Sequence, residues 1–215
     1  MQELVNVTAI ILEITPIGEY DRRVVLLTKE RGKITAFAKG ARRQTSKLIA
    51  ATNLFAFGEF KLYPGRNAYT MTDAHIQNYF EELRVDFEGA YYGMFFLEVC
   101  SYYTRENNDE KEFLKLLYQS LKALLAKSLN RKLVQCIFEM KAMVINGEFP
   151  GMPDDGVWQE STKYAVSYIM NSSIEKLYTF TVSDTVLEEM IRIAERYRIR
   201  YIDREFKSLE MLAVL

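Results

Sequence analysis

The sequence predicts an α+β fold, a small five-stranded β-structure followed by an all-helical part. Three observations predict it. β-Branched and aromatic runs, punctuated by Gly and Pro, fill the N-terminal third. From Asp73 onward the apolar spacing turns helical. Charge divides at the same place: residues 1–80 carry 11 Lys+Arg against 7 Asp+Glu, while residues 81–215 carry 17 against 22.

Val5–Ile14 is β-branched and apolar, and Pro16 and Gly18 supply the turn after it. Arg23–Thr28 reads as a second strand, joined through Lys29-Glu30-Arg31-Gly32 to a third, Lys33–Lys39, which Gly40 stops. Leu54–Tyr63 is a fourth strand in which Gly58 suits a bulge or bend. Pro64-Gly65 is a turn, and Asn67–Thr72 forms a fifth strand. Five short strands in about 75 residues fit a Greek-key barrel of the OB type, or a small open sheet; strand count does not choose between them.

Helices are predicted at 74–83, 88–104, 110–127, 131–146, 161–171, 184–199 and 204–212. The third is the clearest, with Phe113, Leu114, Leu117, Leu121, Leu124 and Leu125 on one stripe. Ser183 or Asp184 is a candidate N-cap for the sixth. Gly147, Pro150, Gly151, Pro153 and Gly156 mark the long loop. The domain boundary falls near Asp73–Val85, giving 1–80 and 81–215.

Composition excludes much chemistry. The longest uncharged stretches, Leu48 to Gly58 and Tyr164 to Ile174, have eleven residues, and a membrane span needs about 20. No basic region precedes the N-terminal apolar run, so the expected compartment is the cytoplasm. The chain has two cysteines, Cys100 and Cys136, and one histidine, His75. Both cysteines sit among apolar residues and read as buried small hydrophobes; His75 reads as a junction polar residue. No nucleophile elbow, P-loop, dinucleotide fingerprint or zinc-protease motif is present, so no enzymatic activity and no metal site are predicted.

The strongest functional signal is basic. From Arg31 to Gly58 there are six cations and no acidic residue. On strand 33–39, alternation puts Lys33, Thr35, Phe37 and Lys39 on one face and Ile34, Ala36 and Ala38 on the other. Cations around an aromatic ring are what single-stranded nucleic acid needs, charge for phosphates and a π-face for a base. Arg42, Arg43 and Lys47 continue the charge through a loop expected to be flexible. Arg31 opens the segment, and Arg22, Arg23 and Arg66 extend it if the loops converge. Glu19 and Asp21 are expected to neutralise Arg22 or Arg23, or to bond turn backbone.

These residues lead to a resemblance. Thr8–Glu13, Gly18-Glu-Tyr-Asp-Arg22, Val25–Thr28, Gly32-Lys33 and Ala38-Lys39-Gly40-Ala-Arg42-Arg43 resemble the RecO family of bacterial DNA repair proteins. Phe57-Gly-Glu-Phe60, Tyr79–Arg84, Tyr92-Gly93, Phe96-Leu97-Glu98 and Phe138-Glu139-Met-Lys141 agree, so the resemblance covers about residues 1–150. It implies an N-terminal OB-fold and a helical C-terminal domain. It implies binding of single- and double-stranded DNA, strand annealing, and loading of the RecA recombinase together with RecR onto strands covered by single-strand-binding protein, whose acidic tail is contacted. It implies no cofactor and a cytoplasmic, nucleoid-associated place. Lys33, Lys39, Arg42, Arg43 and Lys47 become the expected phosphate contacts, with Arg31 and Arg66 beside them and Phe37 for stacking.

One departure is plain. Many family members carry a four-cysteine zinc site near the loop after the Phe-Glu-x-Lys helix, but residues 147–175 here contain no cysteine. Ordinary packing must hold that stretch, with Trp158, Tyr164, Tyr168 and Ile169 as candidates. An alternative function is a protein adaptor whose basic patch grips an acidic peptide.

Overall fold

The computed structural model describes residues 3–214; positions 1, 2 and 215, the outermost of the two expected domains, lie outside the described residues. Five strands are present: β1 (Val5–Ile17), β2 (Asp21–Thr28), β3 (Gly32–Ala38), β4 (Phe57–Pro64) and β5 (Tyr69–Asn78). They close into a barrel in the order β1-β2-β3-β5-β4, with β4 returning to β1. Every pairing is antiparallel except β3 with β5. A closed five-stranded Greek-key barrel is an OB-fold, and the open sheet is set aside. β3 alternates as expected: Ile34, Ala36 and Ala38 are buried with Val24, Leu26, Phe60, Leu62 and Met71 in one core.

Two expectations change. The fifth strand does not stop at Thr72, and no helix begins at Ala74; β5 runs to Asn78, with Ala74, His75 and Ile76 opposite Phe60, Glu59 and Gly58. A short apolar run is ambiguous between strand and helix, and a distant partner, β4, decides it. Gly58 permits the pairing: a Cβ there would lie 2.2 Å from the His75 carbonyl oxygen, beside a register shift. The connection between β3 and β4 is likewise not a flexible loop. Hydrogen-bonded turns run through it (Arg43 N to Gly40 O, 3.1 Å; Ser46 N to Arg43 O, 2.9 Å; Ile49 N to Ser46 O, 3.2 Å; Thr52 N to Leu48 O, 3.1 Å). Ala41, Leu48, Ala51 and Phe55 from this connection are buried.

The helices are α1 (Glu81–Val85), α2 (Phe87–Tyr103), α3 (Lys111–Leu124), α4 (Arg131–Ile145), α5 (Glu160–Asn171), α6 (Asp184–Tyr201) and α7 (Lys207–Leu212), with a 3-10 turn at Ile174–Lys176. The α3 stripe is buried from Phe113 to Leu124, and Leu125 lies just past the helix end. Ser183 caps α6, its Oγ accepting from the Val186 N–H at 3.5 Å.

The chain divides into two compact units. One holds the residues up to Arg84 together with Leu97–Leu114; the other holds Val85–Phe96 and the residues from Lys115 onward. The barrel unit therefore takes in residues 97–114, which the sequence places with the helices. Gly32 makes this possible: its φ is +65°, and a Cβ there would lie 2.2 Å from the Arg105 carbonyl oxygen. Lys33 N–H donates to that oxygen at 3.0 Å, and Asn107 N–H donates to the Arg31 carbonyl at 3.0 Å.

In the second unit, the cysteine-free stretch is held by polar anchors as well as packing. The Lys141 Nζ donates to the carbonyls of Ile169 (3.1 Å), Met170 (3.1 Å) and Ser172 (2.8 Å), closing the C-terminus of α5. Trp158 Nε1 donates to the Pro153 carbonyl at 3.1 Å, and the Tyr197 hydroxyl to that of Gly151 at 3.0 Å. Ile169 is buried and Tyr168 packs edge-on against Phe180, while Tyr164 is 73% exposed and only stacks its ring beside that of Tyr168, centroids 6.5 Å apart.

Candidate nucleic-acid interface

The basic segment is built on β3 and the connection after it. β3 ends because Gly40 turns with φ +66°, and Asp21 fixes that turn by accepting the Gly40 N–H at 2.7 Å. Asp21 thus bonds turn backbone, one of the two roles expected of it. Arg22 has a different task from phosphate binding. Its Nη1 donates to the Ile49 carbonyl (3.0 Å), the Thr52 carbonyl (3.1 Å) and Thr52 Oγ1 (2.8 Å), so one guanidinium pins the far half of the connection. Desolvation, helped by Arg42 and Arg84, moves its pKa down.

With the connection fixed, its cations are presented. Lys39, Arg42, Arg43 and Lys47 are all exposed. Arg42 N–H donates to the Tyr20 carbonyl at 2.8 Å and its Nη1 to the Gly18 carbonyl at 3.2 Å. The Arg43 guanidinium lies 4.9 Å from the centre of the Tyr20 ring, a cation–π contact. The β1–β2 turn and the start of the β3–β4 connection therefore meet at one end of the barrel. Lys47 is paired with Asp73 at 2.9 Å, and that hydrogen bond holds the Asp73 carboxyl below its ordinary range. Phe37 is exposed on β3. Arg66 is exposed in the β4–β5 turn, but the parallel register of β3 and β5 runs that turn back along β3, where Asn67 and Ala68 line a cleft with Lys33 and Thr35, so it does not join the connection.

Lys33 and Arg31 stand apart from that group. Lys33 Nζ donates to the Ser101 carbonyl near the end of α2, so this lysine serves a helix C-terminus. Arg31 is half-buried, its backbone N–H bonded to Thr28 Oγ1 at 2.9 Å. Sequence reasoning missed Tyr20 as the platform for Arg43. An aromatic between Glu19 and Asp21 in a turn is the sequence signal for it.

Cys100 and Cys136 are buried free thiols whose pKa values burial pushes up, the opposite of activation. His75 is exposed on β5 opposite Glu59. Among the described residues no three His, Cys, Asp or Glu side chains group to hold a metal. No helix among them is long and apolar enough to cross a membrane.

A closed OB barrel with an ordered, cation-bearing connection at one end, followed by helices, defines an OB-fold protein with an appended helical part. Comparison with known proteins narrows this. The chain belongs to the RecO family: Recombination protein O N terminal matches residues 1–80, and Recombination protein O C terminal matches residues 84–154. The DNA repair protein RecO of Acetivibrio thermocellus is 25% identical, the match covering 97% of this chain and 96% of that protein. That of Alkaliphilus metalliredigens is 25% identical over 97% of this chain and 98% of its own, and that of Clostridium novyi 25% over 96% and 93%. The family is one of DNA repair proteins.

Proposed function

We propose that this chain is a non-enzymatic mediator of DNA repair and recombination that binds DNA through the cationic end of its barrel. The observation that carries the reading is the ordered connection. Arg22 and Asp21 fix it, and Lys39, Arg42 and Arg43 stand exposed on it, with no acidic residue between Arg31 and Gly58. Cations held in place offset the repulsion between two phosphate backbones, which lets complementary bases meet and pair. On this reading the protein binds single- and double-stranded DNA and anneals complementary strands. Together with RecR it helps load RecA onto strands covered by single-strand-binding protein, whose acidic tail it contacts. It works in the cytoplasm on the nucleoid and uses no cofactor. Family membership supports the repair role, and the exposed cations of the connection support DNA binding.

The test is fluorescence anisotropy of a labelled single strand at several salt concentrations, followed by addition of the complement. Affinity is expected to fall with salt, with a log–log slope of about −0.7 per phosphate neutralised. Arg42→Glu with Arg43→Glu should weaken binding and flatten the slope by about 1.4. An unchanged slope in a folded double variant removes the connection from the interface. Failure to retain any oligonucleotide at low salt, with tight binding of an acidic peptide, makes the protein an adaptor instead.

A further inference from the structure

The second unit holds an open groove of about 1030 Å³ between α5 and the segment that leads into α6. Tyr164 and Tyr168, one turn apart on α5, stack their rings along it, and Phe180 meets the Tyr168 ring edge-on at 5.3 Å. Residues 180–183 also line the groove and belong to no helix or strand. Their burial alternates, Phe180 and Val182 half-buried, Thr181 and Ser183 exposed, which is the period of a strand. Ser183, with φ −70° and ψ 160°, is extended. Its carbonyl accepts the Leu187 N–H at 2.9 Å, but among the described residues no hydrogen bond engages the main chain of Phe180, Thr181 or Val182. The charged residues lining the groove, Glu160 and Lys163, pair with each other at 2.7 Å.

A single exposed ring is ordinary on a protein surface. A ring beside a groove and an open length of main chain is a different observation. Unpaired N–H and C=O groups of an extended segment are a template for another strand. A peptide that adds there takes affinity from main-chain hydrogen bonds and specificity from pockets for alternate side chains. Residues 180–183 span about 13 Å at the rise of a strand, enough for about four residues of a partner. Charge narrows what that partner is. Nucleic acid and acidic peptides are held by cations that meet phosphate or carboxylate. Here the lysine of the groove stands against a glutamate, so the groove offers an anion no net attraction. An uncharged segment with apolar or aromatic residues at alternate positions fits both the rings and the neutral rim.

We propose that this groove receives an extended, uncharged segment of a partner protein, added as a strand beside Phe180–Ser183 with an apolar side chain resting on the Tyr164 ring. Tyr168 and Phe180 form the floor, and the Tyr168 hydroxyl fixes it by donating to the Lys176 carbonyl at 3.1 Å. The site lies wholly in the second unit. It is independent of the nucleic-acid reading of the barrel, so either stands if the other fails.

The test titrates the full chain with a fluorescein-labelled, end-blocked peptide that alternates Thr with Val and Tyr. Saturable anisotropy is expected, and the same peptide N-methylated at every amide, which keeps the side chains and removes the donors, should not bind. Tyr164→Ala should weaken binding by about tenfold, the scale of a truncated aromatic anchor, and Tyr164→Phe, which keeps the ring, should bind like the unmodified protein. Amide exchange at residues 180–183 should slow when the peptide is added. Equal binding of the N-methylated peptide, or unchanged exchange at 180–183, overturns the added strand. Tighter binding of a version with Asp in place of Thr, or of oligo(dT), weakened in turn by Tyr164→Ala, overturns the uncharged partner. A dimer in sedimentation that Tyr164→Ala abolishes makes the occupant a second copy of this chain and overturns the proposal as well. So does the absence of saturable binding at about 1 mM peptide, the weak end of specific affinity. Circular dichroism melts separate a lost contact from a lost fold.

Discussion

Lys33 and Lys39 lie on one strand pattern, six residues apart, and meet different fates. Lys39 stands in solvent just past β3, whereas Lys33 is drawn to the carbonyl of Ser101 at the end of α2. Arg22 and Arg23 diverge the same way, one locked into backbone carbonyls and the next facing a cleft. Glu139 in the second unit links stability to pH. It is buried, bonded to Arg198 at 2.7 Å and Gln135 at 2.6 Å. Burial pushes its pKa up more than Arg198 pulls it down. The native state then keeps the proton longer than the unfolded chain does. Stability from this group is therefore full below the ordinary carboxylate pKa and is lost as pH rises through the raised one. Urea midpoints measured against pH should show that fall in the unmodified protein, and the difference from Glu139→Gln should isolate it. Parallel profiles would mean that Glu139 titrates alike in both states.

At the scale of elements, each one is stabilised by a neighbour that sequence distance conceals. β5 extends to Asn78 because β4 offers a pairing edge and Gly58 lets the backbones approach. The β3–β4 connection is ordered because Arg22 reaches it from β2. α5 ends where Lys141 of α4 collects its last carbonyls, satisfying groups that a helix C-terminus leaves open. Lys141→Met should cost about 1.5–3 kcal/mol, the scale of hydrogen bonds from a charged donor. Hydrogen exchange should then speed up at residues 165–177 before it does in the barrel. Uniform acceleration everywhere would show instead that the loss is global and that Lys141 is not a local clamp.

At the scale of the whole molecule, two features stand out. Residues 1–80 are net basic, 11 Lys+Arg against 7 Asp+Glu, and residues 81–215 are net acidic, 17 against 22. On the proposed reading, DNA affinity is therefore expected to come from the exposed cations of the β3–β4 connection and not from the net charge of residues 81–215. The second feature is how residues 147–175 are held without thiolate ligands. With two cysteines and one histidine in the whole chain, a chelator should leave the melting temperature unchanged, in contrast to proteins whose folding depends on structural zinc. A drop of several degrees on adding chelator, reversed by zinc, would contradict this.

The sequence by itself determined the fold class, the strands β1 to β4 in outline and most helices, with α2 to α6 starting within about a residue or two of the expected positions. These are short-range properties: alternation, helical spacing, caps and turns act over a few residues. It also determined that the basic segment from Lys39 to Lys47 is the prominent charged feature and that both cysteines are buried. Only the tertiary structure decided that the sheet closes, that β5 replaces the start of a helix, and that the β3–β4 connection is fixed. It alone separated Lys33 from Lys39. Those facts depend on strand register and on which distant group satisfies a buried or half-buried one. Register is set by closure of the whole barrel, so no local window of sequence contains it.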